Sequence, residues 1–278
     1  MKTLVIARFT FREAARKKVL LGAIALTVAF VSLFGVGAYF AFRDIARQGL
    51  PQSMKEVATS QILLAGLYVT NFISGLLAIF ASVGTISGEV AEGTLDAIVP
   101  KPLHRWEILM GKWLGYAAML LVYVLVTSWL VIGVVYFFGD YMPPRPLESV
   151  MVMVFQALVL LSLCLLGSTF LSTVTNGIAV LMLYAIALVG GMVEQIGGLL
   201  DNATMENIGI ISSLIIPSDT LWKMASDWLQ PTSPSLTSQI VGPFTAITPP
   251  SIWMAAYAAL YVFCVIGASM WVFQRRDL

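Results

Sequence analysis

Charge is what this sequence lacks most. Only 11% of its 278 residues are Asp, Glu, Lys or Arg, and it has one histidine, His104, and two cysteines, Cys164 and Cys264. One histidine cannot build a multi-histidine metal centre, and neither G-x-S-x-G nor H-E-x-x-H occurs. The nearest approach to a phosphate-binding loop is Gly111-Lys112. Trp113 stands where Ser or Thr is needed and Trp106 where the first glycine belongs, so ATP is not expected to be held here by a P-loop. A formal net charge of +1, with no Lys/Arg block interleaved with aromatics, argues against a nucleic-acid partner. Both cysteines fall in apolar runs and read as small buried hydrophobes rather than as a disulfide or metal pair.

What replaces charge is hydrocarbon. The chain is 59% hydrophobic with a mean hydropathy of +0.88, more than a globular core and surface need. Uncharged runs from Val19 to Phe42, Val57 to Gly88, Trp113 to Gly139, Ser149 to Val193 and Trp228 to Gln274 each reach the ~20 residues that cross a bilayer as helix. The fourth run is about twice that length and holds "STVTNG" (Ser172 to Gly177), which reads as a tight hairpin between two spans. The last opens on "PTSPS" and "TPPS", so only its end should cross. The reading is an all-α integral membrane protein with six spans, at 19–42, 60–86, 113–137, 150–172, 177–199 and 251–273. The basic start followed by an apolar run resembles a signal peptide, but 24 residues is too long and no A-x-A site follows, so it reads as a retained span.

Six spans leave both termini on one side. If that side is cytoplasmic, the inner segments hold Lys2, Arg8, Arg12, Arg16, Lys17, Lys18, Lys101, Arg105, Lys112, Arg275 and Arg276. The outer segments hold Arg43, Arg47, Lys55, Arg145 and Lys223. The excess favours both ends in the cytoplasm of a multi-pass protein of the cell (plasma or inner) membrane. Segment 88–112 is then cytoplasmic, and 200–250 forms a structured outer segment between spans five and six.

Residues 1–18 are too charged to cross. Leu4, Ala7, Phe11 and Ala14 form one stripe while Arg8, Arg12 and Arg16 follow at four-residue steps. This predicts an interfacial amphipathic helix with its apolar stripe toward lipid and its arginines toward anionic head groups, each contributing ~1 kcal/mol; a basic tail with accidental periodicity is the plainer alternative. In the outer segment, "PSDTLWKMASDWL" predicts an amphipathic surface helix. Leu221, Trp222, Ala225, Trp228 and Leu229 share one face, opposite Lys223 and Asp227, and the tryptophans sit at interface level. Glu194 lies among Gly190, Gly191, Gly197 and Gly198. It is a candidate pathway or gate residue, or, about 25 Å along its span, a water-exposed or capping one.

The stretch "SGEVAEGTLDAIVPKPLHRWEILMGK", Ser87 to Lys112, interrupts two uncharged runs. Glu89, Glu92 and Asp96 share one face of a helix and Leu95, Ile98 and Val99 another, while Pro100 and Pro102 stop it before "LHRWEILMGK" restarts a helix into span three. That is either a docking elbow for a soluble partner or a solvated loop.

The stretch closely resembles the loop of type-2 ABC transporter permeases: an acid, Gly-Thr-Leu, an apolar run, a proline, an arginine soon after and a Gly-Lys opening the next span. The basic helix before span one, the six spans, the structured outer segment and the "QRRDL" tail extend the resemblance to the whole chain. "ARFTFREAARKKVLL" and "IPSDTLWKMA" resemble the branch holding the permease of the nitrous-oxide-reductase copper-site maturation exporter. The resemblance implies a single permease domain (1–278) that is not an enzyme, binding no cofactor of its own, with ATP and Mg on a partner subunit. Its partners would be two copies of an ATP-binding subunit, a second permease copy or close relative, and membrane lipid. It also implies that Glu89, Glu92, Gly93, Thr94, Leu95, Pro100, Arg105 and Lys112 form the coupling loop that enters a groove of the ATPase, in an exporter rather than an importer.

Two rivals differ in class: a membrane-embedded enzyme, for which the spans offer one charged residue, Glu194, and an anchor or assembly factor that binds a soluble partner without transporting. Replacing Glu89 to Arg105 with a Gly/Ser linker is expected to abolish ATP-dependent transport by reconstituted protein while leaving it inserted in the membrane. Unchanged transport would remove the coupling role.

Overall fold

The computed structural model describes residues 2–16, 18–49, 51–91, 104–231 and 251–275. Among these every regular element is helical: α1 (Lys2–Arg16), α2 (Lys18–Arg47), α3 (Gln52–Ser82), α4 (Ser87–Ala91), α5 (Arg105–Gly139), α6 (Pro146–Ser168), α7 (Thr173–Leu200), α8 (Ala203–Ile215), α9 (Ser218–Leu229) and α10 (Ile252–Arg275). Six of them, α2, α3, α5, α6, α7 and α10, are long and apolar enough to cross a membrane. The chain is thus an all-α integral membrane protein. The end of the bundle at which α1 begins and α10 finishes is the near end below, and the opposite end the far end.

Backbone chemistry sets the ends of these helices, because no water inside a bilayer satisfies their terminal N–H and C=O groups. Asp140 and Asp201 close α5 and α7 in the left-handed conformation, φ 49° and 52°, which a short polar side chain tolerates. Pro146 starts α6 where its missing N–H costs nothing. The turn expected within Ser172 to Gly177 lies slightly earlier: α6 ends at Ser168, and Ser172 caps α7 by accepting from Thr175 N. Asn202 of the "NAT" triplet caps α8, accepting from the amides of Thr204 and Met205.

At the centre stand α3 and α6, buried along much of their length, with α5 beside them. By contrast α2 buries little; Leu21, Leu26, Leu33 and Val36 are all exposed on it. Cys164 is buried as expected, but Cys264 is exposed on the outward face of α10.

Two features depart from the surface roles that periodicity suggested. The first is α1, which lies against α5 through two glycines. A Cβ on Gly111 would stand 2.6 Å from Ile6, and one on Gly115 would stand 2.6 Å from Thr10 and 2.8 Å from the carbonyl of Ala7. Contacts advance four residues on each helix, so the two run in the same direction. Of the stripe expected to face lipid, Ala14 is buried and Ala7 and Phe11 are half-buried, while Leu4 is exposed. The helix rests its small residues on a partner, since close backbone approach needs small side chains.

The second is the pair α8 and α9. α8 folds back along α7: Gly197 meets Met205 and Glu206, Gly209 meets Glu194, and Gly190 meets Ser212. α9 then returns to the far end, where Leu229 O accepts from the Tyr141 hydroxyl at 3.2 Å. Asp219, one residue into α9, touches Gly191, nine residues before α7 ends, so the tip of this hairpin reaches about 13 Å down the bundle. The predicted surface helix forms over Ser218–Leu229, with Pro217 rather than Ser218 at its cap position, and in a different environment: Trp222, Lys223, Ala225 and Ser226 are all buried.

Introducing Leu at Gly111 or Gly115 is expected to cost about 1–3 kcal/mol by overpacking, read as a lower thermal-unfolding midpoint of the purified protein. Gly133, with open space where its Cβ would be, is the control. Equal shifts at all three positions would reject the α1–α5 packing.

Candidate functional site

The near end is where the sequence put its charged stretch. Of the eight loop candidates, Glu92, Gly93, Thr94, Leu95 and Pro100 lie outside the described residues, while Glu89, Arg105 and Lys112 lie within them. These three belong to the flanks of the loop, and each flank is fastened to the bundle.

On the first flank, Lys112 is buried and its Nζ donates to the carbonyl of Thr85 at 2.7 Å and pairs with the Glu89 carboxylate. Thr85 and Glu89 bracket the start of α4, so one ammonium ties α5 to the α3–α4 corner. The same corner is held from α7: Asn176 Nδ2 donates to Val83 O and Cys164 O, both at 2.9 Å, and the Ser87 and Thr173 hydroxyls lie 2.9 Å apart. On the second flank α5 restarts at Arg105, where Glu107 accepts from the His104 amide at 3.0 Å. Arg105 does not extend from the bundle. Its Nη1 donates to Phe273 O at 3.2 Å and Gln274 O at 3.4 Å, the last carbonyls of α10. Those carbonyls have no partner within the helix and sit at its negative end, where a guanidinium is favoured. No distant pairing of this kind can be read from a linear pattern.

The α1 candidates lie at the same end. Arg8, Arg12 and Arg16 are exposed and Phe11 is half-buried.

At the far end Glu194 is joined to residues that periodicity had placed elsewhere. Lys223 Nζ lies 2.8 Å from Glu194 Oε2 and 2.9 Å from Asp219 Oδ2, with Lys223 and Asp219 almost fully buried. Lys223 had been read as facing water on its helix. It turns inward toward two carboxylates, one of which, that of Asp219, occupies the space a Cβ on Gly191 would fill. Of the glycines around Glu194, Gly190, Gly191 and Gly197 serve the α7–α8–α9 packing. Deeper in the bundle Asn71 Nδ2 donates to Gln156 Oε1 at 2.8 Å, Tyr184 stacks on Phe72 and Tyr68 meets the edge of Trp222. Sequence reasoning passed over Asn71 and Gln156 and read Asn176 only as part of the turn. Their signal was being amides inside otherwise apolar runs, since such groups must find partners across helices.

A polar cleft of about 540 Å³ opens at the far end, lined among others by Gln52, Lys55, Glu56, Asp140 and Tyr141. Burial, with the nearby Glu56 carboxylate, pushes the Tyr141 hydroxyl up to about 12, which keeps it a neutral donor toward Leu229 O. Among the described residues no group of three or more His, Cys, Asp or Glu is placed to hold a metal ion.

The model of the ABC-2 family transporter proteins matches residues 4–278. The chain belongs to the ABC-2 family. It is a transmembrane subunit of an ABC transporter, the membrane component and not itself the catalytic one, of a kind that works with an ATP-binding subunit. No curated protein sequence matches it. In this ABC-2 permease the fastened flanks at the near end and the ion-paired hairpin at the far end are joined by α10. Arg105 holds its near end, and the Tyr257 hydroxyl, close to its far end, donates to Leu214 O at the hairpin tip at 2.6 Å. Between these points Ile86, Leu109, Phe273, Ile266, Val262, Ala258, Leu221 and Ile216 form one continuous apolar cluster.

Replacing Lys223 with Met would leave Glu194 and Asp219 facing each other, and is expected to destabilise the protein by about 3–5 kcal/mol. The check is thermal unfolding in detergent, with Glu194→Gln and Asp219→Asn added to the same chain to restore much of the loss. A midpoint unchanged by Lys223→Met would show the pairing to be unimportant.

Proposed function

We propose that this ABC-2 permease is the membrane half of an ATP-driven exporter whose near end faces the cytoplasm. It pairs with a second permease, identical or closely related, and with two copies of an ATP-binding subunit, and both its termini lie inside the cell membrane's cytoplasmic face. ATP and Mg act on the partner. The loop containing Glu92, Gly93, Thr94, Leu95 and Pro100 is the element the ATPase grips, and Glu89, Arg105 and Lys112 carry its displacement into the bundle. "ARFTFREAARKKVLL" and "IPSDTLWKMA" support the branch of the copper-site maturation exporter.

The observation that carries this reading is that both flanks of the loop are bolted to spans. A loop hinged freely on the bundle would absorb a push. One fixed through Lys112 to the α3–α4 corner and through Arg105 to the end of α10 converts the push into a rigid-body shift of helices. Because α10 also holds the α8–α9 tip through Tyr257, movement at the cytoplasmic end has a mechanical route to the far opening. Glu194 on α7, paired with Lys223 of that hairpin, is the gate candidate.

Arg105→Ala is expected to leave the complex assembled and hydrolysing ATP while transport by reconstituted vesicles falls at least about tenfold, because the link to α10 is cut; Arg105→Lys, which can still reach one carbonyl, should recover part of it. Loss of ATPase binding would mean that Arg105 contacts the partner directly. Full transport in Arg105→Ala would reject the route through α10.

A further inference from the structure

Between α2 and α5, opening where α1 meets α2, runs a groove of about 250 Å³ whose wall includes Phe11, Ala15, Leu20, Ile24, Val122 and Leu130. We propose that it binds one acyl chain of an anionic phospholipid, with the phosphate head group held by the Arg8, Arg12 and Arg16 stripe of α1.

The wall is chemically dry. Three of its residues carry hydroxyls, and all three are engaged: Thr27 Oγ1 and the Tyr123 hydroxyl lie 2.5 Å apart, and Thr127 donates to the carbonyls of Tyr123 at 2.8 Å and Val124 at 3.3 Å. Nothing there calls for water or a polar ligand, so a hydrocarbon chain fills the space without leaving a donor unmet. The length also suits one chain. The groove follows α2 from Leu20 to Val28 and α5 from Met119 to Leu130, about 12 to 17 Å at the helical rise. That is roughly half of a ~30 Å hydrocarbon core, the share of one leaflet.

The mouth supplies the head-group chemistry. Arg8 is three residues before Phe11 and Arg12 three before Ala15, so each lies one turn from a groove residue on the same side of α1, with Arg16 next along. All three are exposed. Glu13, the one acid on α1, is two residues on from Phe11 and therefore points away from the groove, three residues before Arg16 on the far edge of the stripe. The two halves of the site are held in register, because Gly111 and Gly115 seat α1 directly on α5. A second copy of the chain is the competing occupant. Packed here about a two-fold axis it would bring another basic stripe to the same rim, whereas a phosphate neutralises the stripe already present.

The test uses the full chain with Cys164→Ala and Cys264→Ala, carrying a bimane label on Leu130→Cys at the deep end of the groove. It is reconstituted in phosphatidylcholine vesicles containing either phosphatidylglycerol or phosphatidylcholine with brominated acyl chains. Brominated phosphatidylglycerol is expected to quench at an about fivefold lower mole fraction than brominated phosphatidylcholine, the equivalent of a single basic contact to the head group. Arg8→Gln, Arg12→Gln and Arg16→Gln together should erase the difference. So should Ile24→Trp, which fills the groove and leaves the arginines in place. A label on Phe263→Cys, exposed on α10, should show no preference. Equal quenching by the two lipids at Leu130→Cys would overturn the proposal. So would a preference just as strong at Phe263→Cys, one that survives loss of the arginines, or disulfide crosslinking of two copies through the Leu130→Cys position.

Discussion

A lysine ammonium withdrawn from water must meet a carboxylate or carbonyl, and both ends of this bundle are organised by that requirement. At the near end Lys112 gathers Thr85 and Glu89, and thereby α3, α4 and α5. At the far end Lys223 gathers Glu194 and Asp219, and thereby α7 and α9. A buried ion pair contributes little net stability compared with hydrophobic residues of the same shape, because desolvating the charges costs about as much as their attraction returns. What it does supply is direction. Each ammonium reaches all its partners only when the segments that carry them stand in one arrangement, so the pairs select a geometry out of many that hydrocarbon packing alone would permit.

Close approach of backbones is the second constraint, and it makes the first possible. Asp219 stands where a Cβ on Gly191 would lie 2.0 Å from its Oδ2, and Glu194 stands where one on Gly209 would lie 2.2 Å from its Cβ. Lipid tails are as apolar as leucine, so helices in a bilayer gain little from merely covering one another; they associate where small residues let them touch. The same device seats α1 on α5 through Gly111 and Gly115. Among the described residues, the near-end flanks and the far-end hairpin are fastened to the bundle with a long apolar contact along α10 between them, an arrangement suited to moving as rigid pieces.

Much of this was legible. The spans follow from run length and the absence of charge, because a bilayer's thickness and its lack of water leave a long apolar segment no other stable form than helix. The helix within 217–229 was readable from its apolar stripe. Its surroundings were not. The periodicity that placed Trp222 and Leu229 on one face also placed Lys223 opposite, and opposite was taken to mean water. For Arg105 the pattern pointed outward to a partner, while the structure turns the side chain to Phe273 and Gln274, some 170 positions along the chain.

By itself, then, the sequence determined the solvent, the class of fold, the number of crossings and the places where charge is concentrated, since each of these depends on local composition and length. Only tertiary structure decided that α8 and α9 dip into the bundle, that α1 rests on α5, and which carboxylate answers which lysine. Those outcomes depend on pairs such as Glu194 with Lys223 and Gly111 with Ile6. Their members are held apart in the chain and meet only after the helices have packed, so no window of neighbouring residues contains both halves of the interaction.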